Sequence, residues 1–282
     1  MRSLIINADD CGFSRAVNEA IRKCLEKGAI TGVSLMAGGE CFREAAAMLK
    51  GAGRADVGLH LTFTGVCRPC SENKYAVASL LGKDGGFLAG YAEFGMRYFS
   101  RGIDITEVYV ESRAQINRLL KEGLSITHID SHEHVHMFPG IFKAVLDLAS
   151  EFNIPYVRVP VESVSVIARK FTVKDLVRYA ALRVMVSGAG KKAKSVPLKK
   201  NGAFWGHFHS GRIDDEIMSF ILENLAEGVN EVAVHPAVSD AAFLGAFPWY
   251  KNGPNELEVL LNGVWKKDVQ KKDVRLISHR EV

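Results

Sequence analysis

The order of apolar strands and amphipathic helices in this chain predicts an α/β fold, a TIM-like barrel that need not have the full eight strands. Three observations lead there. Short, near-continuous apolar runs alternate with helical stretches from end to end, the pattern of a parallel sheet covered on both faces. Polar clusters fall on or just after those runs, where sites form at the carboxyl ends of parallel strands. The clusters come from distant parts of the sequence, and a closed or nearly closed barrel would bring them together where an open sheet would spread them along its edge.

The elements follow in order. Ser3 to Ala8 is a buried strand, extended from Arg2, and a helix runs from about Arg15 to Lys27. Val33 to Met36 is the second strand, with Glu44 to Lys50 in the second helix, and Asp56 to Leu61 is the third strand. A long Gly-, Pro- and Cys-containing loop reaches about Leu88. Helical stretches follow at Tyr91 to Ser100 and Thr106 to Glu122. Ser125 to Asp130 is the fourth strand, Phe138 to Phe152 a helix and Tyr156 to Val159 the fifth strand. Asn230 to Val234 and Val274 to Ile277 complete the strands. Right-handed crossovers are expected between them.

At 282 residues with 48% hydrophobic content, the chain can bury a sizeable core, as one domain over 1–282. A net charge of +4 does not argue for nucleic acid, and no RNA-binding or zinc-finger spacing accompanies it. Five cysteines, odd in number and scattered, fit reduced thiols in a cytoplasmic protein. Cys67-Arg68-Pro69-Cys70 has no partner motif, so both are read as loop residues. The first strand begins at Arg2, which leaves no room for a signal peptide, and no apolar run approaches the length of a membrane span.

The most informative stretch is Thr127-His128-Ile129-Asp130-Ser131-His132-Glu133-His134-Val135-His136, with four of the nine histidines and two carboxylates. If extended, it puts His128, Asp130, His132, His134 and His136 on one face. If helical after Asp130, it sets His132 and His136 at i, i+4. Either way imidazoles gather beside a carboxylate, which suits a divalent transition metal. A histidine tag is the bland alternative, but tags sit at termini and lack the interleaved Ile129, Val135, Met137 and Phe138.

Asp9 and Asp10 are adjacent at the end of the first strand, so on an extended chain they point opposite ways. One can ligate while the other acts as a base; alone, the pair reads equally as a loop and helix-capping feature near Gly12 and Ser14. His60, between Leu59 and Leu61, is either a core histidine satisfied by a carbonyl or a ligand at a strand end. Two imidazoles and a carboxylate around one ion leave open positions, as in a catalytic centre. His235, before Pro236, is placed to protonate a leaving group, or is a strand-end histidine held by a proline turn.

Asn7-Ala8-Asp9-Asp10, Gly58-Leu59-His60, Thr127 to His132 with His136-Met137-Phe138-Pro139, and Val234-His235-Pro236-Ala237 together resemble the YdjC-like carbohydrate deacetylases, which include the chitooligosaccharide deacetylases. The match runs in order from residue 3 to about 280. The resemblance implies a distorted (β/α) barrel related to the polysaccharide deacetylases, and metal-dependent removal of acetyl from an N-acetylated amino sugar. It implies Asp10, His60 and His132 as ligands of one divalent ion, Zn²⁺ or Mg²⁺. Asp9 would be the general base, His235 the general acid, and Arg158 would orient Asp9 or the acetyl group. His134 and His136 fit the motif as neighbours of the ligands or of substrate. One departure stands out: the family's aromatic directly after the acid pair is here Cys11-Gly12-Phe13.

Between Arg169 and Lys200 there are ten Lys or Arg and one acid, Asp175. With apolar Leu176, Val177, Leu182 and Met185, Val173 to Val186 reads as a basic amphipathic helix, either a membrane-surface contact or a solvated lid. Together with Gly206 to Arg212 it is similar to the hopanoid-associated branch of the family, which acts on a lipid-linked substrate, a setting at the inner membrane surface. Trp249-Tyr250 would serve a homodimer contact if exposed. Rival readings are a metal phosphoesterase on the same barrel and a non-catalytic sugar-binding or regulatory protein.

Overall fold

Strand β1 (Arg2–Cys11) is the centre of the sheet, buried along most of its length and paired on both sides. The structure, a computed structural model, describes residues 1–51, 56–163, 165, 172–193 and 199–282. The other strands are β2 (Gly32–Leu35), β3 (Asp56–Leu61), β4 (Ile126–Ser131), β5 (Tyr156–Val157), β6 (Ala203–Trp205), β7 (Gly228–Val234) and β8 (Val274–Leu276). They run in the order β5-β4-β3-β2-β1-β7-β6, with every pair parallel. β8 lies beside the first residues of β1, Arg2 to Leu4, while β2 takes up β1 further along, at Asn7.

The two ends of this path meet. Isolated parallel bridges join Tyr156 to Lys199 and Glu162 to Phe204. The result is the expected α/β fold, a distorted (β/α) barrel. β6 goes beyond the strands the sequence suggested; three residues are too few to display a pattern. β5 is shorter than expected, and the reason is local. The Asn201 side chain accepts from Val159 N–H at 2.9 Å and donates to Val159 C=O at 2.7 Å, so an amide replaces the ladder there.

Helices cover the outside: α1 (Arg15–Glu26), α2 (Phe42–Gly51), α3 (Tyr91–Phe99), α4 (Ile105–Lys121), α5 (Pro139–Glu151), α6 (Val173–Ala193), α7 (Asp215–Glu223), α8 (Ala241–Ala246), α9 (Gly253–Asn262) and α10 (Val264–Lys271). Side-chain caps start several of them: Ser14, Asp104, Asp214 and Asp240 each accept a backbone N–H of the first turn. Proline sits at the start of α5, where its missing N–H costs nothing.

Alternation along the strands sorts side chains between two environments. Leu4, Ile6, Ala8, Leu59 and Ile129 join the apolar layer under the helices, with Val17, Ile21, Phe142 and Val145. Burying each of the larger ones stabilises the fold by about 1.5–3 kcal/mol. The inward set is different. Ile5, Tyr156 and Ile277 form a small separate apolar plug. Above it the interior is polar: Asn7, Asp9, Ser34, His60, His128, Asp130, Arg158 and Glu231 are all buried. Gly58 belongs to this side, and a Cβ there would come 2.1 Å from His128 Nε2, so glycine makes room for the ring.

Candidate active site

A bulge in β1 builds the site. Asn7 and Ala8 pair with Gly32 and Val33, but Cys11 pairs with Leu35, so β1 spends one residue more than β2 over Asp9 and Asp10. Asp10 takes φ 63, and Gly12 follows at φ 86, where a side chain would be strained. Strict alternation would separate the two carboxylates; the bulge resets it, and both lie against His60. This corrects the expectation that they face opposite ways.

Asp10 Oδ1 is the meeting point. It lies 3.0 Å from His60 Nε2 and 2.9 Å from His132 Nδ1. One ligand atom from each of Asp10, His60 and His132 falls within 4.8 Å of the others. The opposite nitrogen of His60, Nδ1, donates to Asp130 Oδ1 at 2.7 Å, which fixes the ring and leaves Nε2 directed at Asp10. A carboxylate behind a histidine is the arrangement that orients a metal-ligating imidazole.

Arg158 holds the other half. Its guanidinium is fully buried and grips Asp9 at 2.7 and 2.8 Å, with Asp130 at 2.7 Å and Glu231 at 2.7 Å. Asn7 Nδ2 adds a donor to Asp9 at 2.7 Å and a second bond to Ser34 at 2.7 Å. Ser34 in turn donates to Asp130 at 2.8 Å. Removing one partner of such a buried ionic network leaves charges uncompensated.

The electrostatics follow from this geometry. Burial raises the Asp9 carboxyl, but Arg158 outweighs it and holds Asp9 at about 2. Burial also opposes ionisation of Asp10, and His132 and His60 overcome it, keeping Asp10 well below the usual carboxylate range. Burial disfavours a charged His60, yet Asp130 and Asp10 push it up to about 10. Three buried carboxylates, Asp9, Asp130 and Glu231, face one guanidinium, and Asp10 adds a fourth buried carboxylate beside them, on the far side of His60. That negative excess draws a proton onto His60, and a divalent cation would answer the same demand. The donor set, two imidazoles and a carboxylate with an oriented ring, fits such an ion.

His235 follows β7, the strand beside β1, and lies near enough to Asp9 to be among the groups that lower its carboxyl. Its backbone N–H donates to Glu256 at 2.6 Å, and its buried Nδ1 has no hydrogen-bond partner among the described residues.

The histidine run takes neither geometry the sequence allowed. β4 ends at Ser131, and a 3-10 turn over His132–Met137 follows, with Glu133 and His134 both at φ 54. The left-handed pair sends alternate side chains to different places. His136 bonds Ser131 at 2.5 Å and the Arg158 carbonyl at 3.0 Å, bracing β5. His134 packs against Phe204 and His207, and burial keeps it neutral. His128 stacks on His279 at 3.5 Å in the barrel interior. Only His132 of the set beyond Asp130 reaches Asp10.

Sequence reading missed the parts played by Asp130, Glu231 and Tyr250. Asp130 and Glu231 left a signal, an acid inside an apolar strand. Tyr250, whose hydroxyl donates to Asp10 Oδ2 at 2.6 Å, left none. It is buried, while Trp249 is 55% exposed, so of that pair only the tryptophan is open to a contact.

Of the basic stretch Arg169 to Lys200, residues 169–171 and 194–198 lie outside the described ones. In α6, Leu182 and Met185 are buried in the protein's own core and Leu176 packs against it, so of the four apolar residues read as the helix's apolar side only Val177 faces outward, with Val173 and Val184. No helix among the described residues is long and apolar enough to cross a membrane.

The family model described as YdjC-like protein matches residues 3–271. A carbohydrate deacetylase from Brevibacillus brevis is 30% identical over 281 residues, covering 99% of both chains. One from Clostridium beijerinckii is 27% identical, again over 99% of each. A crystal structure from Enterococcus faecalis V583, named for cellobiose-phosphate cleavage, superposes with a TM-score of 0.79 at 24% identity, covering 99% of this chain and 98% of that one. This last likeness bears on the fold.

Proposed function

This chain belongs to the YdjC-like protein family, and we propose that it is a metal-dependent hydrolase removing the N-acetyl group from an N-acetylated amino sugar. Relatives named carbohydrate deacetylase, matched over their full length, support deacetylation of a sugar. The observation that carries the finer reading is the convergence of His60 and His132 on Asp10 Oδ1, beside an Asp9 fixed by Arg158. We take residues 1–282 as one such domain, since one apolar core holds residues from β1 through β8.

Asp10, His60 and His132 would hold the ion. When bound, a divalent cation there supplies Lewis-acid polarisation of the amide oxygen and a lowered pKa for water. Nitrogen-rich ligation suits zinc, with magnesium the harder alternative. Asp9, held below the usual carboxylate range by Arg158, accepts the proton of the attacking water; Arg158 and Asn7 fix its orientation. His235 gives a proton to the departing amine. A two-metal phosphoesterase fits less well, because the second grouping of candidate ligands, Asp9, His60 and Asp130, is already threaded by the Arg158 guanidinium.

A lipid-linked substrate and peripheral contact with an anionic membrane belong to the same proposal, within a cytoplasmic setting that the five unpaired cysteines favour. Their support is the face of α6. Val173, Val177 and Val184 are 78%, 64% and 74% exposed at helical spacing, with Arg178 and Arg183 alongside. Co-sedimentation with anionic vesicles, and none with neutral ones, is expected; equal, negligible binding to both removes the membrane contact.

Mass spectrometry across free, oligomeric and lipid-linked N-acetylated amino sugars tests the whole reading. Loss of one acetyl group from at least one class is expected, and no loss from any class refutes it.

A further inference from the structure

Asp10 has two carboxylate oxygens, and they have different neighbours. Oδ1 faces His60 Nε2 and His132 Nδ1, whereas Oδ2 accepts the Tyr250 hydroxyl at 2.6 Å. Tyr250 ends a short 3-10 turn, Pro248–Tyr250, far from Asp10 in the chain. Its side chain is 2% exposed and cannot swing away without breaking an aromatic cluster. Phe243 lies 5.1 Å from its ring and Phe13 stacks on it at 6.0 Å with planes 27° apart. Phe13 is itself held edge-on by Phe247 at 4.8 Å and Phe243 at 5.9 Å.

A carboxylate with both oxygens free can rotate about its terminal bond or chelate an ion with both. The Tyr250 hydroxyl removes that freedom. We infer that Tyr250 is a positioning residue for Asp10, holding it as a one-oxygen ligand of the divalent cation, and that Phe13 braces the phenol. The inference rests on the proposed ion site. It also gives a place to the aromatic that follows Asp10 three positions on, after Cys11-Gly12. The bulge and the left-handed Gly12 carry the chain round so that this ring meets the tyrosine rather than the carboxylate.

The test measures zinc affinity by chelator competition, and the visible absorption spectrum of the cobalt(II)-loaded protein, in wild type, Tyr250→Phe, Phe13→Leu and Asp10→Ala. Outer partners of metal ligands typically contribute about 10–100-fold in affinity. Tyr250→Phe is expected to weaken zinc binding by that factor and to change the cobalt spectrum. Phe13→Leu, which keeps the hydroxyl, is expected to shift the spectrum the same way by less. A Tyr250→Phe protein with wild-type affinity and spectrum, beside an Asp10→Ala protein that has lost the metal, overturns the inference and leaves the ion site standing. So does a Tyr250→Phe protein that only melts earlier when metal-free, which marks a packing role. Should Tyr250→Phe not fold, an unshifted Phe13→Leu spectrum overturns it. Unchanged zinc binding in Asp10→Ala removes the ion site and the inference with it.

Discussion

Asp9 and Asp10 are consecutive, both buried and both held below the usual carboxylate range, yet they sit in opposite surroundings. Asp9 is walled in by the Asn7 amide and by a guanidinium that cannot be displaced without stranding Asp130 and Glu231. Asp10 is faced by two imidazoles, neutral in one protonation state and replaceable partners for a cation. The difference teaches that the neighbour, not the acid, decides the task. A carboxylate locked to arginine is fixed in place and charge, fit to take a proton at a set position. One ringed by imidazole nitrogens is fit to share an ion.

The comparison can be broken at either half. Asp9→Asn should cut turnover about 10²–10⁴-fold, the range for a positioned base, while the protein still binds one equivalent of zinc. Retained turnover would show that the locked carboxylate is not the base. Arg158→Met should come next. It strands Asp9, Asp130 and Glu231 and should lower stability by about 3–5 kcal/mol in denaturant titration, unless the carboxyls take up protons. A stability near wild type would mean the network is not the frame of that half.

On the other half, Asp130→Asn should weaken zinc binding about 10–100-fold, because His60 loses the carboxylate that aims its ring. The smallest effect is in acid. Asp9 and Glu231 are depressed to about 2 by Arg158 against burial, from ordinary values of 3.8 and 4.5. A lowered folded-state pKa stabilises above the unfolded value and is lost as pH falls through the folded one. The melting temperature should therefore decline from about pH 5 toward pH 2, and Glu231→Gln should flatten that decline. A melting temperature flat across that window would deny the coupling.

Much of this was legible in the residues. The strands under the helices announce themselves by Leu4, Ile6, Leu59 and Ile129, because alternation writes an apolar outer face into any strand covered by helices. The same alternation exposes the inner face: Asn7 with Asp9, Gly58 with His60, and His128 with Asp130 each sit two apart. What the sequence does not carry is backbone geometry at single residues. The bulge that turns Asp9 and Asp10 to one site beside β2, and the left-handed Glu133 and His134 that disperse the histidine run, are such positions. Nor does it carry long-range pairing. Asn201 closing the barrel against Val159 and Tyr250 reaching Asp10 are meetings of distant loops, with no local pattern to mark them.

A zinc-soaked crystal, with the ion located by anomalous scattering, is the most direct test. The arrangement requires one strong peak touching Asp10 Oδ1, His60 Nε2 and His132 Nδ1, with Asp9 still on Arg158. A peak bound elsewhere, or those three side chains turned away from a common point, would contradict it.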